Sequence, residues 1–206
     1  MKKTGIKLII IVCLISFFMI SAIALYIIPK KETLQNKIQN NHIDILNEIN
    51  TYQDKYFKII KRNNALLDLE NRPEVISDLK ELKLLFIEIK NKIDKDSKYL
   101  FEYEKIKNTY KQNNGSNTFE INEFAKRKFE AYDKLLNDTY KEIQNKLSKD
   151  DFEKLRISQI AWLKEVENYK KVFDSKGFGT IGTVIKYDYE TNMRAFRTLL
   201  LMLYLN

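Results

Sequence analysis

From Leu34 onward the apolar residues recur in steps of four and three. Ile38, Ile45, Ile49, Tyr52, Tyr56 and Ile59 form one stripe, and polar residues fill the remaining positions. That spacing predicts an amphipathic helix, extending through Leu66 and Leu69. Arg72-Pro73 ends it, because proline lacks a donor and pushes the preceding residue out of the helical region. Pro73 is tolerated in the first turn of a second helix. There Val75, Leu79, Leu82, Phe86, Ile89 and Ile93 repeat the stripe, and Leu100, Tyr103 and Tyr110 extend it. The two helices predict a long antiparallel hairpin over residues 31–112. Gln112-Asn113-Asn114-Gly115-Ser116-Asn117 is rich in turn formers, so residues 113–118 read as a linker. A third helix is predicted from Thr118 to Leu147, with Phe124, Tyr132, Leu136, Tyr140, Ile143 and Leu147 inward. Ser148-x-x-Asp151 resembles a capping box and opens a fourth helix, which runs to about Phe173 and contains Trp162. After Gly177–Gly182 a fifth helix carries Thr191 and Arg194 into the apolar tail Leu199–Leu205. Those seven residues are too few to cross a bilayer and should dock on the core or on a partner.

The N-terminus sets the compartment. Lys2, Lys3 and Lys7 precede an uncharged run from Leu8 to Ile28, and Pro29-Lys30-Lys31 ends it. As a helix this run is long enough to cross a hydrocarbon core of ~30 Å. A cleaved signal peptide is the competing reading, since Ala22-Ile23-Ala24 resembles a small-x-small cleavage site. The apolar Leu25-Tyr26-Ile27-Ile28 continues past that site and favours an uncleaved anchor over residues 1–30. Positive residues before the run slightly outweigh those after it, which keeps the N-terminus cytoplasmic. The expected protein is single-pass in the inner or cytoplasmic membrane, with residues 31–206 periplasmic or extracellular. Cys13 is the only cysteine, so no disulfide can form within one chain. Val12 stands where a lipobox wants a small residue.

The fold predicted from these patterns is all-α. An N-terminal transmembrane helix leads to the hairpin, then to a small three-helix bundle over residues 119–206. Only five Gly and two Pro punctuate 206 residues, which agrees with long helices. The net charge is +8, carried by Lys interleaved with Glu. Interleaving favours a solvated mixed-charge surface over a dedicated anion patch. Lys alternating with Tyr over Tyr99–Tyr110 is similar to nucleic-acid surfaces, but the compartment argues against a nucleic-acid partner.

Catalytic chemistry finds little support. Gly177-Phe178-Gly179-Thr180-Ile181-Gly182 matches G-x-G-x-x-G literally, yet a helix precedes it where the dinucleotide fingerprint needs a strand. A tight turn between helices accounts for its glycines. Phe178 at its tip, with Gly179, Thr180 and Ile181, forms the favoured partner-binding segment, because exposed N–H groups and an exposed hydrophobe attract ligands. His42 is the only histidine and has no His or Cys partner for a metal. No nucleophile motif accompanies it. The chain is therefore read as a non-enzyme without cofactor or metal.

Three polar–aromatic steps carry the most specific signal. Tyr132-Asp133 leads through Asn137 to Tyr140, Gln159 stands three before Trp162 with Glu167 beyond, and Thr191 stands three before Arg194. Within the paired steps the spacing puts side chains on one helix face. A buried polar network fixing helix register is the favoured role of these residues, and Trp162 is read as a core anchor. Their order resembles the LprI-type lysozyme-inhibitor family over residues of about 124–200. The resemblance implies a cell-envelope protein that sterically inhibits lysozyme or another peptidoglycan hydrolase. Members often carry a cysteine pair, whose places fall near Lys170 and Lys186 here, and an Arg-Asp step, which reads Val166-Glu167 here. Glu167 can replace that step by accepting from Arg194 if their helices pack closely. Host lysozymes are commonly basic, so a chain of +8 needs a local acidic patch, for which Asp150, Asp151 and Glu153 are the candidates. The alternative reading is a coiled-coil-like envelope assembly or sensor protein, a homodimer through the hairpin.

Overall fold

The structure, a computed structural model, describes residues 37–62, 73–112, 115–175 and 179–206. Residues to Ile43 and residues from Asp44 form separate compact units. The described residues are helical and include no strand. Helix α1 covers residues 37–62, α2 Pro73–Lys92, α3 Lys98–Thr109, α4 Thr118–Lys146, α5 Lys149–Ser175 and α6 Gly179–Met202, followed by a 3-10 turn over Leu203–Leu205. Among the described residues no helix is long and apolar enough to cross a membrane. The apolar run from residue 8 to residue 28 lies outside them.

Within the unit Asp44–Asn206, α1 and α2 run antiparallel. Glu48 pairs with Lys92, the Tyr52 hydroxyl donates to Glu88 at 2.6 Å, and Arg62 reaches Asp78 at 2.8 Å and Glu81 at 2.6 Å. Partners on α2 descend as those on α1 ascend. Asp78 is buried to receive Arg62, while its neighbour Leu79, predicted inward, is 58% exposed. The buried apolar residues of α2 are Leu85 and Ile89, and Ile93 continues the stripe just past its end.

The predicted second helix does not run unbroken to Tyr110. It stops at Lys92, and α3 begins at Lys98. Asp94 causes the stop, since its carboxylate accepts the Asp96 N–H at 3.0 Å and its carbonyl accepts the Ser97 N–H at 3.1 Å. The Asn206 side chain completes the turn. It donates to the Lys92 carbonyl at 2.7 Å and accepts the Asp94 N–H at 2.9 Å. These bonds satisfy groups that a helix end leaves open.

The N-terminus of α4 is capped by Asn117, whose side chain accepts the Glu120 N–H at 3.0 Å. Glu120 in turn accepts from the Ser116 N–H and hydroxyl, which holds its carboxyl below the usual range. Ser148 caps α5 by accepting the Asp151 N–H at 3.2 Å.

Helix α6 lies at the centre. It packs most extensively on α4 and also meets α2, α3 and α5. Met193, Phe196 and every residue from Leu199 to Leu203 are buried. Each such side chain contributes about 1.5–3 kcal/mol through its removal from water. The ring of Tyr56 on α1 stacks on Phe196 at 4.2 Å, and Phe57 stacks on Tyr169 of α5 at 5.7 Å. The hairpin and the C-terminal helices thus share one core.

Candidate functional site

Helices α4, α5 and α6 frame an open pocket of about 310 Å³. Its wall includes Asp133, Asn137, Tyr140, Gln159, Trp162 and Arg194, six of the nine residues in the polar–aromatic steps. Helical spacing explains the gathering. Asp133, Asn137 and Tyr140 follow one another at four and three on α4, so they stand on one face. The Arg194 Nε donates to Asp133 Oδ1 at 2.6 Å, and Asn137 Nδ2 donates to Asp133 Oδ2 at 3.1 Å. Arg194 Nη1 also donates to the Glu190 carbonyl at 3.3 Å and to its carboxylate at 3.4 Å. The guanidinium lies on the Phe129 ring, 4.2 Å from the centroid. A planar cation held on three sides and open on the fourth is preorganised for a partner's acceptor. Burial raises the Tyr140 phenol above its usual value, so it stands at neutral pH as a hydroxyl beside the pocket's cations.

Behind the pocket lies a buried node around Arg197, one turn further along α6. Arg197 has no exposed surface. Its Nε donates to Gln159 at 2.8 Å, Nη1 to Gln53 at 2.7 Å and Nη2 to the Ser158 hydroxyl at 3.1 Å. Ser158 donates onward to Asn50 at 2.8 Å. All three acceptors are neutral. Burial therefore pulls the Arg197 pKa down to about 10, with the nearby Tyr204 and Tyr140 opposing the shift. The Trp162 ring sits 6.0 Å from the guanidinium carbon. Gln159 belongs to both settings, lining the pocket and holding Arg197.

The predicted network is thus split in two. Asp133, Asn137 and Arg194 form its pocket-facing part, while the buried register-fixing part centres on Arg197. Thr191 is buried but donates to the Tyr187 carbonyl of its own helix at 2.5 Å. Glu167 does not accept from Arg194. It is exposed and pairs with Lys170 at 3.6 Å, because Asp133 and Glu190 already occupy the guanidinium. The acidic patch also dissolves. Asp151 is buried against Ser148 and Lys154, and Glu153 is held by two bonds from Arg156, which keep its carboxyl below the usual range.

Arg197, Gln53 and Ser158 were missed in the sequence. A signal for Arg197 exists, since the residues from Ala195 to Leu203 are apolar on all sides except Arg197 and Thr198. A helix apolar all round is buried, and so is any charge inside it. Phe178 lies outside the described residues, and Gly179, Thr180 and Ile181 fall in the first turn of α6, which starts inside the predicted loop Gly177–Gly182. Among the described residues no cluster of His, Cys, Asp and Glu could hold a metal ion.

No curated protein and no solved structure matches this chain. The pocket and the buried node nevertheless draw most of their residues from one stretch, and that stretch is recognised. Residues 109–201, from the end of α3 through the buried part of α6, match the family model described as Lysozyme inhibitor LprI.

Proposed function

We propose that this chain is a membrane-anchored envelope protein that binds a peptidoglycan hydrolase, a lysozyme in the first instance, and blocks it sterically. The observation that supports this reading is the composition of the pocket and its rim. Six family-like residues line the pocket, and Ile160 and Leu163 stand beside them 39% and 48% exposed, with Ile157 59% exposed at the next step of three along α5. Exposed aliphatic residues next to a preorganised arginine are characteristic of a protein contact. The run from Leu8 to Ile28 supplies the anchor, which places the inhibitor outside the cytoplasmic membrane beside the wall. Phe178–Ile181 is a second contact segment in this reading.

With Asp151 and Glu153 neutralised, long-range charge does not favour a basic enzyme. The contact then rests on shape and apolar burial, so binding should be slow to form and should strengthen as salt screens the repulsion. The test is peptidoglycan lysis by a panel of lysozymes and autolysins, with and without the full-length chain in detergent. Saturable inhibition of one enzyme, lost in Leu163→Asp, is the expected result. No inhibition at micromolar concentrations of folded chain would sink the reading.

One observation favours a second reading, an assembly or sensor protein that pairs through the hairpin. Leu79 and Leu84 on α2 are 58% and 57% exposed. A mass that rises with concentration and falls back in Leu84→Lys would support that pairing.

A further inference from the structure

A larger cavity, of about 570 Å³, opens among α2, α3, α4 and α6. Phe86, Tyr103, Tyr132, Ala195 and Leu199 make its apolar lining, and Ile87 stands at it 45% exposed. Lys83, Lys90, Lys107, Lys111 and Lys128 also line it, against the single carboxylate of Glu104. Glu104 is engaged by Lys90 at 2.6 Å and by Lys107 at 3.9 Å, and Lys128 reaches Asp188 at 3.1 Å. Lys83 and Lys111 are exposed and make no ion pair among the described residues. Five lysines around one glutamate leave a positive field over an apolar hollow.

The geometry points to a binding site for a small amphipathic anion, an apolar chain or ring ending in one carboxylate or phosphate. An inorganic anion alone would leave the apolar lining wet. A neutral hydrocarbon would leave the lysine field unused. The volume suits a ligand of ordinary small-molecule size, whose body is desolvated by the cavity while its head stays among the lysines. Helices α2 and α3 supply most of the lysines, so the site lies apart from the Asp133–Arg194 pocket and stands whether or not a hydrolase is bound.

Octanoate is the probe, titrated into the full chain in nonionic detergent and followed by amide NMR, with octanol and inorganic phosphate as controls. Octanoate should give saturable shifts at Ile87, Tyr103 and Ala195. The double variant Lys83→Glu/Lys111→Glu, on two exposed side chains, should weaken it about tenfold, the effect of reversing two weakly screened surface charges. Asn192→Trp, at an exposed lining position, should plug the cavity and abolish the shifts. Should that variant lose its fold, the lysine variant alone decides. Binding of octanol as tight as octanoate, equal shifts with phosphate, wild-type affinity in the lysine variant, or no saturation would each overturn the assignment.

Discussion

Arg194 and Arg197 sit one turn apart on α6, and their surroundings are opposite. Arg194 is paired with Asp133 at 2.6 Å, laid on Phe129 and open to a pocket. Arg197 is fully enclosed and bonded to two glutamines and a serine from α1 and α5. A part-buried guanidinium paired with a carboxylate contributes modestly to stability and keeps an edge on the pocket for a partner. One enclosed by neutral acceptors is costly to bury but also costly to remove, because its acceptors would then be left unbonded. The comparison separates the pocket face, where chemistry is offered outward, from the interior, where polar groups specify how α1, α5 and α6 meet.

The largest expected effect on stability belongs to the interior and comes with alkali. Burial pushes the phenols of Tyr56, Tyr103 and Tyr132 well above their usual value of 10. The folded chain therefore keeps protons that the unfolded chain releases, and stability is lost as pH rises above 10. Each such phenol removes about 1.4 kcal/mol per pH unit. Arg197 works the other way. Its folded pKa lies near 10 against 12.5 unfolded, so above pH 10 its burial becomes less costly. Tyr204 is raised by burial as well, so the phenols outweigh the one guanidinium and the net is a fall of roughly a few kcal/mol per pH unit. Chemical denaturation at pH 8, 10 and 11 should show a plateau and then that fall. A flat profile to pH 11 would mean these tyrosines are not buried as described.

Next in size is the Arg197 node itself. Arg197→Ala should cost about 2–4 kcal/mol, from unsatisfied Gln53 and Gln159 and from the void left beside Trp162. Arg197→Met keeps the volume and removes the buried charge, so it should cost less than the alanine variant. The pocket face should behave differently. Asp133→Asn and Arg194→Ala remove a part-buried pair and should each cost about 1–2 kcal/mol, coupled because the two side chains touch, and less than Arg197→Ala. If Arg194→Ala proves as damaging as Arg197→Ala, the distinction between face and interior fails.

What the sequence allowed one to read follows the same division between local and distant causes. The stripes Ile49-Tyr52-Tyr56-Ile59 and Tyr132-Leu136-Ile143 are set by helical spacing, and the buried side chains follow them. The pocket residues Asp133, Asn137 and Arg194 were also visible, through spacing within one helix and the family-like steps. The stop after Lys92 was not, because its open groups are satisfied by Asn206 from the far end of the chain. Arg197 was passed over for a related reason. Its acceptors Gln53 and Ser158 are far from it in sequence, and nothing local marks them as partners. The acidic run at 150–153 misled because adjacency in sequence says nothing of direction. Asp151 turns to Ser148 and Glu153 to Arg156.

The smallest expected effect on stability is the sharpest test of the pocket face. Ile157, Ile160 and Leu163 are set in steps of three along α5, and a large aliphatic side chain in water gains nothing from its exposure. Ile160→Asp and Leu163→Asp should therefore change stability by no more than about 0.5 kcal/mol, the ordinary range for exposed positions. If these residues meet a hydrolase, the same substitutions place a charge against an apolar surface and should abolish inhibition. The core supplies the internal control, since Arg197→Met should weaken the fold while leaving the α5 row and its inhibition intact. Normal stability with lost inhibition in the α5 variants, set against the reverse in Arg197→Met, assigns binding to the pocket face and architecture to the interior. A large loss of stability in Leu163→Asp would instead mean that the row is packed, and its exposure would then no longer argue for a partner.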